Sequence, residues 1–263
     1  MTLSQKANEA RKKILTMIHK AQTSHVASNF SVIDIATVLY ENLKPDDRVV
    51  WSTGWKSATI YYFLAQQGKI PMEDLDRFAK EDEHGHIEYL GLAETNVPGV
   101  LVNGGSVGHG LPVSVGMALA KKRLGLSGTV YCIVSDGEMN EGTVWESAAL
   151  AHHHKLDNLV VVIDCNKIQA MGYTKDIVDM EPIEDRWSGF GWATQRIDGH
   201  DFDQLEEFFG APKIIFRKRM MPTVLICDTI KGKGVSFMQG LLLYHYKHVD
   251  SETFERAMAE LNT

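Results

Sequence analysis

Apolar residues follow a helical spacing in two segments near the start of the chain. Ile14, Met17, Ile18 and Ala21 stand at positions i, i+3, i+4 and i+7, and the apolar residues of 32–39 have a similar spacing. Side chains with this spacing fall on one face of an α-helix. The two segments therefore predict helices that each bury an apolar stripe.

Later in the chain, the pattern changes to short apolar runs rich in β-branched residues, which is typical of strands. Thr129–Val134, Asn158–Asp164 and Thr223–Asp228 are three such runs, and a fourth strand is expected at Gly191–Ile197. Between the first two runs, Gly142–Lys155 is long enough for a helix. Strand, helix and strand in this order form a βαβ unit with parallel strands. We therefore expect an α/β fold: a single doubly wound, mainly parallel sheet with helices on both faces.

The chain shows no sign of division into domains. No internal repeat, low-complexity segment or linker rich in Pro, Gly and Ser interrupts the 263 residues. After the fourth strand, the sequence predicts a turn at Asp198–Asp201 and a short helix at Phe202–Phe209. Residues 1–263 are expected to form one domain.

The composition argues against several classes of protein. The 27 basic and 34 acidic residues give a net charge of −7, whereas a nucleic-acid-binding surface clusters Lys and Arg. No apolar run approaches the roughly 20 residues that span a bilayer, and the charged start of the chain lacks the apolar core of a signal peptide. Cys132, Cys165 and Cys227 lie in or beside apolar runs, which favours buried free thiols. We expect a cytoplasmic protein without nucleic-acid or membrane partners.

Polar residues follow the two strands of the βαβ unit. Asp136 and Gly137 come after the first strand, and Asn166 comes after the second. Because the carboxyl ends of parallel strands meet at one edge of a sheet, where ligands bind, Asp136 and Asn166 are expected to be neighbours. Carboxylate and amide oxygens suit Mg²⁺ or Ca²⁺, and Mg²⁺ commonly binds phosphate oxygens as well. The other interpretation is that both segments only form turns.

Two further motifs give weaker evidence. The glycine-rich loop Asn103–Gly110 precedes a helix expected to begin near Leu111, and unpaired amides at a helix N-terminus suit a phosphate. The loop is neither a Walker loop nor a dinucleotide fingerprint, because no Gly-Lys-Ser/Thr follows it and no strand leads tightly into it. The run His152–His154 is expected to be a helix end without a metal, since a divalent site needs converging ligands from elsewhere.

Asp136, Gly137 and Asn166 match the thiamine diphosphate motif, and longer segments around them match one family. These segments are SHVASNFSVIDIATVLY (24–40), VNGGSVGHG (102–110), SDGEMNEGTVWESA (135–148) and MPTVLICDTIKGKGVSFM (221–238). Over roughly residues 10–250, the chain resembles the transketolase amino-terminal domain, and most closely its stand-alone amino-terminal subunit. The resemblance implies the thiamine diphosphate-binding fold of that family.

The resemblance also implies how the cofactor would be held. Asp136, the Asn166 side chain and the Ile168 carbonyl would ligate Mg²⁺, and Gly137 would face the diphosphate. The loop that touches the aminopyrimidine end of thiamine diphosphate would consist of Gly105, Ser106 and Val107.

Two histidines and two glutamates take further roles by resemblance. His245 would lie near the diphosphate and the substrate, and His25 would contact the substrate close to the thiazolium. Both are candidate catalytic residues, because an imidazole can move a proton or recognise a hydroxyl near neutral pH. Glu141 and Glu146 would lie along the subunit interface.

In the resembling family, a second, pyrimidine-binding domain completes the site. That domain is absent from this sequence and is expected on a separate carboxy-terminal subunit, in an α₂β₂ assembly. The implied activity is transfer of a two-carbon ketol unit from a ketose, free or phosphorylated, to an aldose acceptor. Two alternatives stay open: another thiamine diphosphate-dependent carboligase or 2-oxoacid dehydrogenase of the alpha type, and a catalytically idle partner of the active chain.

Several positions depart from the family pattern or carry no clear chemistry. Trp55 and Leu92 stand where the family has histidines that touch the cofactor or the sugar. An apolar wall at these positions favours a substrate with fewer hydroxyls or a bulkier group. Lys56 brings a positive charge that would lie near the phosphates. Lys231 and Lys233, in the segment TIKGKG, are expected at a turn and on the surface.

Overall fold

One parallel sheet lies at the centre of the computed structural model, which describes residues 1–210 and 220–263. The strands are β1 (Arg48–Trp51), β2 (Val130–Ser135), β3 (Leu159–Cys165), β4 (Ala193–Asp198) and β5 (Thr223–Asp228). They lie in the order β1-β2-β3-β5-β4, and each neighbouring pair is parallel. This confirms the α/β fold that the sequence predicts, with a sheet that is parallel among all the described strands.

Helices connect the strands across both faces of the sheet. They are α1 (Leu3–Ala21), α2 (Val26–Glu41), α3 (Ser57–Gln66), α4 (Gly110–Arg123), α5 (Gly142–His153), α6 (Thr174–Ile177), α7 (Ile183–Gly189), α8 (Phe202–Gly210) and α9 (Ser251–Leu261). Short 3₁₀ segments occupy Gly54–Lys56, Met72–Arg77, Asp136–Asn140, Ser236–Met238 and Leu242–His245. Among the described helices, none has the length and apolar character that crossing a membrane requires.

Two hydrophobic cores lie on opposite faces of the sheet. In β2, Tyr131 and Ile133 point to the core formed with α1, α2, α3, α8 and α9, whereas Cys132 and Val134 point to the core formed with α4, α5 and α7. Successive side chains of a strand alternate between faces, so a strand that is covered on both sides is apolar at every position. This is why the central strands appear in the sequence as continuous apolar runs.

Two elements differ from the sequence prediction. Strand β1 was not predicted, because Arg48–Trp51 is only four residues long and its first residue is exposed. Helix α2 was predicted to bury one stripe, but every residue from Val26 to Tyr40 is buried. The reason is that α2 packs against α1, α3 and α8 as well as contributing to the core on the sheet.

The glycine-rich loop is held against the segment after β1 by a direct backbone contact. A Cβ atom on Gly54 would lie 2.4 Å from the Cα atom of Gly104, and a Cβ atom on Gly104 would lie 2.3 Å from the Cα atom of Gly54. Ala93 links the same two segments, since its N–H donates to the Gly54 carbonyl at 3.0 Å and its carbonyl accepts from the Gly104 N–H at 3.0 Å. Only residues without a side chain allow this approach.

We expect the substitution Gly54→Ala to lower the free energy of unfolding by about 1–3 kcal/mol, because the added methyl group must push two backbones apart. The measurement is urea denaturation followed by circular dichroism. Gly116→Ala is the matched control: Gly116 lies within α4 with open space around its Cα, so alanine there should raise stability by up to about 1 kcal/mol. Equal unfolding midpoints for Gly54→Ala and the parent would contradict the backbone contact.

Candidate active site

A cavity of about 600 Å³ opens at the carboxyl ends of β1, β2, β3 and β5. This is the edge at which parallel α/β sheets bind ligands. Nine of the eleven residues that the sequence analysis assigns to the site line this cavity. They are His25, Gly105, Val107, Asp136, Gly137, Glu141, Asn166, Ile168 and His245. The other two, Ser106 and Glu146, are exposed and do not line it.

The turns after β2 and β3 bring Asp136 and Asn166 together, as the sequence predicts. Lys167 adopts a left-handed conformation, with φ of 67°, and its N–H donates to Asp136 Oδ2 at 2.5 Å. The N–H of Gly137 donates to Asp136 Oδ1 at 2.8 Å, and that of Ile168 donates to Asn166 Oδ1 at 3.1 Å. The two strand ends therefore form one hydrogen-bonded unit.

Asp136 is a buried carboxylate without an ion-pair partner among the described residues. Burial, followed by the negative charge of Asp164, raises its pKa to about 6 against the opposing hydrogen bonds from the Lys167 and Gly137 amides. A divalent cation at this edge would offset both effects. The described residues contain no group of three or more His, Cys, Asp and Glu side chains arranged for a metal, so neutral oxygens must complete the coordination. The Asn166 amide and Ile168 carbonyl supply such oxygens, and this donor set fits Mg²⁺.

A second carboxylate, Asp164, is fully buried beside the cavity. Its Oδ2 accepts hydrogen bonds from Lys56 Nζ at 2.5 Å, Ser31 Oγ at 2.6 Å and Asn166 Nδ2 at 3.1 Å. Its Oδ1 accepts from Thr229 Oγ1. Burial alone would raise the pKa of Asp164, but the Lys56 charge and these hydrogen bonds hold it below its usual value. Sequence reasoning missed Asp164, because it ends an apolar run as a turn residue would.

His25 and His245 lie side by side. The His25 N–H donates to the His245 carbonyl at 3.1 Å, and the ring centroids are 5.1 Å apart. His25 precedes α2 with φ of 70°, a left-handed conformation that is costly for a residue other than glycine and common at functional sites. Burial, followed by the nearby charge of Lys231, lowers the pKa of His25 to about 4 and that of His245 to about 3. Both imidazoles are therefore neutral at pH 7.

Lys231 is buried, which corrects the expectation that it lies at the surface. It is 2% exposed, and its Nζ lies 2.9 Å from the Ile168 carbonyl and 2.8 Å from His245 Nδ1. The loop after β5 turns under α2, where the Gly232 N–H donates to the Ala27 carbonyl at 2.9 Å. Burial lowers the pKa of Lys231 to about 8, while the charges of nearby carboxylates oppose that shift.

Glu138 is another buried residue that sequence reasoning missed. Its carboxylate accepts the Ser135 N–H at 3.1 Å, the Gly108 N–H at 2.9 Å and the Ser52 hydroxyl. Ser52 Oγ in turn accepts the Gly110 N–H at 3.0 Å. Glu138 therefore fixes the glycine-rich loop to the ends of β1 and β2. The available signal was the capping-box pattern, a Ser followed three positions later by a Glu.

Apolar side chains form the outer wall of the cavity. Trp55 and Leu92, the two departures from the family pattern, both line it, together with Met171, Val178 and Tyr246. Tyr246 lies against the two histidines, with its ring centroid 4.6 Å from that of His245 and 5.6 Å from that of His25. The cavity is thus charged at the strand ends and apolar toward its mouth.

The neutral state of His245 makes stability depend on pH. Its folded pKa lies below its unfolded value of about 6.5, so the unfolded chain binds the proton first and stability falls as the pH drops below 6.5. We expect His245→Gln to lose about 1–2 kcal/mol less free energy of unfolding than the parent between pH 6.5 and pH 5. Urea denaturation at both pH values measures this. Equal losses in the parent and the variant would show that His245 is not held neutral.

Comparison with known proteins identifies the family. The family model described as "Transketolase, thiamine diphosphate binding domain" matches residues 3–258. One of the two subunits of the apulose-4-phosphate transketolase of Phocaeicola vulgatus is 34% identical over 99% of this chain and 94% of its own length. A 6-deoxy-6-sulfo-D-fructose transketolase subunit of a Clostridium species is 36% identical over 98% of this chain and 96% of its own.

Longer transketolases match as well, but only in part. The chain is 31% identical to the transketolase of Pongo abelii over 98% of its own length and 42% of that protein. The crystal structure of Campylobacter jejuni transketolase superposes on the whole chain with a TM-score of 0.90 at 28% identity, and the chain covers 43% of that protein. The chain thus spans less than half of the full-length enzymes and nearly all of the subunits. It belongs to the transketolase family of thiamine diphosphate-dependent transferases, as a chain with the length of an amino-terminal subunit.

Proposed function

We propose that this chain binds thiamine diphosphate and Mg²⁺ and, with a second subunit, transfers a two-carbon ketol unit from a ketose to an aldose. The observation that carries the proposal is the cavity in which Asp136, Asn166 and Ile168 meet beside His25 and His245. The match of residues 3–258 to the thiamine diphosphate-binding domain supports the same function.

The strand-end residues would hold the cofactor by its charged end. Asp136, the Asn166 amide and the Ile168 carbonyl would bind Mg²⁺, which would neutralise part of the diphosphate charge. Gly137, which lines the cavity without a side chain, would allow the diphosphate to approach the backbone. Gly105 and Val107 line the same cavity and would lie toward the aminopyrimidine. When bound, thiamine diphosphate supplies the nucleophilic carbon for cleavage of the ketose.

The two histidines would handle protons and recognise hydroxyls of the substrate. Ser24 Oγ lies 2.8 Å from His25 Nδ1, and Lys231 Nζ lies 2.8 Å from His245 Nδ1. In both rings, Nε2 is therefore the nitrogen that remains for a ligand. A neutral imidazole can donate a hydrogen bond or accept a proton without first losing its own charge.

A second subunit would close the cavity. Large apolar side chains around its mouth are exposed: Met171 by 80%, Leu243 by 61%, Tyr246 by 55% and Val178 by 52%. Such a patch at a site marks an interaction surface. We propose that a pyrimidine-binding subunit covers it in an α₂β₂ assembly, with Glu141 at the cavity rim and the exposed Glu146 at the interface.

The apolar wall points to an unusual ketose as substrate. Trp55 offers one hydrogen-bond donor and Leu92 offers none, whereas an imidazole can donate and accept. The two relatives of similar length are named for apulose 4-phosphate and 6-deoxy-6-sulfo-D-fructose. We propose that this enzyme too uses a sugar with fewer hydroxyls, or a bulkier group, in place of the common pentose phosphates. The buried thiols Cys132, Cys165 and Cys227 suit a reducing cytoplasm, where we place it.

Asp136→Ala should weaken binding of thiamine diphosphate with Mg²⁺ at least tenfold, which is about 1.4 kcal/mol, because the metal loses its anionic ligand. Isothermal titration calorimetry on the chain, with and without the second subunit, measures the affinity. Asp203→Ala removes an exposed carboxylate from α8 and serves as the control, with unchanged affinity. If Asp136→Ala binds as tightly as this control, the metal site is wrongly assigned.

Reconstitution with a pyrimidine-binding subunit tests the activity. We expect no ketol transfer from the chain alone, transfer after mixing, and slow turnover of xylulose 5-phosphate with ribose 5-phosphate compared with less hydroxylated donors. Trp55→His should raise kcat/KM for xylulose 5-phosphate about two- to tenfold, the value of one net hydrogen bond. Cofactor binding without transfer from any ketose in the panel would favour the idle-partner alternative. Full activity of the chain alone would refute the requirement for a second subunit.

A further inference from the structure

The contact between Lys231 and His245 decides which ring nitrogen of His245 carries the proton. Lys231 Nζ lies 2.8 Å from His245 Nδ1 and 2.9 Å from the Ile168 carbonyl oxygen. We propose that Lys231 is a positioning residue that holds His245 in the tautomer with a protonated Nε2, so that the ring presents an N–H donor to the cavity.

The assignment follows from the donors and acceptors that meet at this point. A lysine ammonium group has three N–H donors and no acceptor. Ile168 offers a carbonyl oxygen, which can only accept, so one N–H of Lys231 is directed there. A second N–H at 2.8 Å from His245 Nδ1 requires a lone pair on that nitrogen. A neutral imidazole with a lone pair on Nδ1 carries its proton on Nε2.

Contacts on both sides of Lys231 fix the backbone that carries it. The Ile230 N–H donates to His200 Nε2 at 2.8 Å, and Arg11 Nε donates to the Lys233 carbonyl at 3.0 Å. The intervening Gly232 N–H donates to the Ala27 carbonyl on α2. The ammonium group therefore projects from a loop whose preceding and following residues are each bonded to another element.

The two anchors are themselves joined by one buried carboxylate. Asp34 Oδ2 lies 2.7 Å from Arg11 Nη2 and 2.8 Å from His200 Nδ1. Because His200 Nε2 accepts from Ile230, the His200 proton is on Nδ1 and points to Asp34. The same logic that places the proton of His200 thus places that of His245, with a carboxylate in the first case and an ammonium in the second.

The tautomer limits what His245 can do. A neutral ring with a protonated Nε2 donates a hydrogen bond to a phosphate or carbonyl oxygen, and it cannot take a proton at Nε2 without becoming charged next to Lys231. His245 is then a hydrogen-bond donor toward the ligand, and proton acceptance falls to the neighbouring His25. This consequence for catalysis rests on the proposed function, whereas the tautomer itself does not.

Nitrogen-15 NMR of the chain labelled at its histidine rings tests the tautomer without any ligand. The His245 signals are assigned by their loss in His245→Gln. In the parent at pH 7, we expect Nδ1 to resonate as an unprotonated nitrogen and Nε2 as a protonated one. A protonated Nδ1 in the parent would overturn the proposal. This spectrum needs no Lys231 variant, and failure of ketol transfer would leave its result unchanged.

Lys231→Met then tests the cause, because methionine keeps an apolar chain of similar shape and removes the donors. We expect the single-tautomer pattern of His245 to be lost in a folded protein, as judged by its thermal unfolding. Lys233→Met is the matched control, since Lys233 lies two residues away on the same loop and contributes its carbonyl to the network. Its His245 signals should equal those of the parent. The proposal is overturned if Lys231→Met keeps the parent pattern, or if Lys233→Met loses it equally.

Discussion

The Asp164 carboxylate, buried at the end of β3, accepts hydrogen bonds from side chains of four segments. Ser31 comes from α2, Lys56 from the 3₁₀ turn after β1, Asn166 from the turn after β3 and Thr229 from the loop after β5. Each of these segments also lines the cavity or carries a residue that does. The relative positions of the cofactor-binding groups therefore depend on one acceptor with both oxygens occupied.

This arrangement contributes geometry more than stability. A buried ion pair such as Lys56–Asp164 gains little net energy over an apolar pair, because both charges lose their hydration, but removing one partner leaves a costly buried charge. The hydrogen bond from Asn166 Nδ2 to Asp164 turns the amide oxygen of Asn166 toward the Ile168 amide and away from the carboxylate. The departure at Lys56 thus supports the proposed metal ligand indirectly, through Asp164.

The sequence predicted those parts of the site that follow from strand order. Asp136 and Asn166 end apolar runs, and parallel pairing alone brings such ends together, so both fold and motif could be derived. The burial of Lys231 could not, because a lysine between glycines has the pattern of a surface turn until α2 covers it. Glu138 was missed for a similar reason. Its partners lie in β1 and the glycine-rich loop, and β1 was itself too short to predict.

The bond between His25 and His245 also sets an order of events in the cell. These residues are separated by most of the chain, and α1 packs against α9 just beyond them, with Asn8 Nδ2 donating to the Leu261 carbonyl at 2.7 Å. A ribosome releases the first partner long before the second, and contacts between such distant residues form slowly. The growing chain must therefore keep the apolar faces of α1 and α2 partly uncovered until the last helix emerges. Chaperone binding to these two helices is the expected cost of building one site from both ends of a chain.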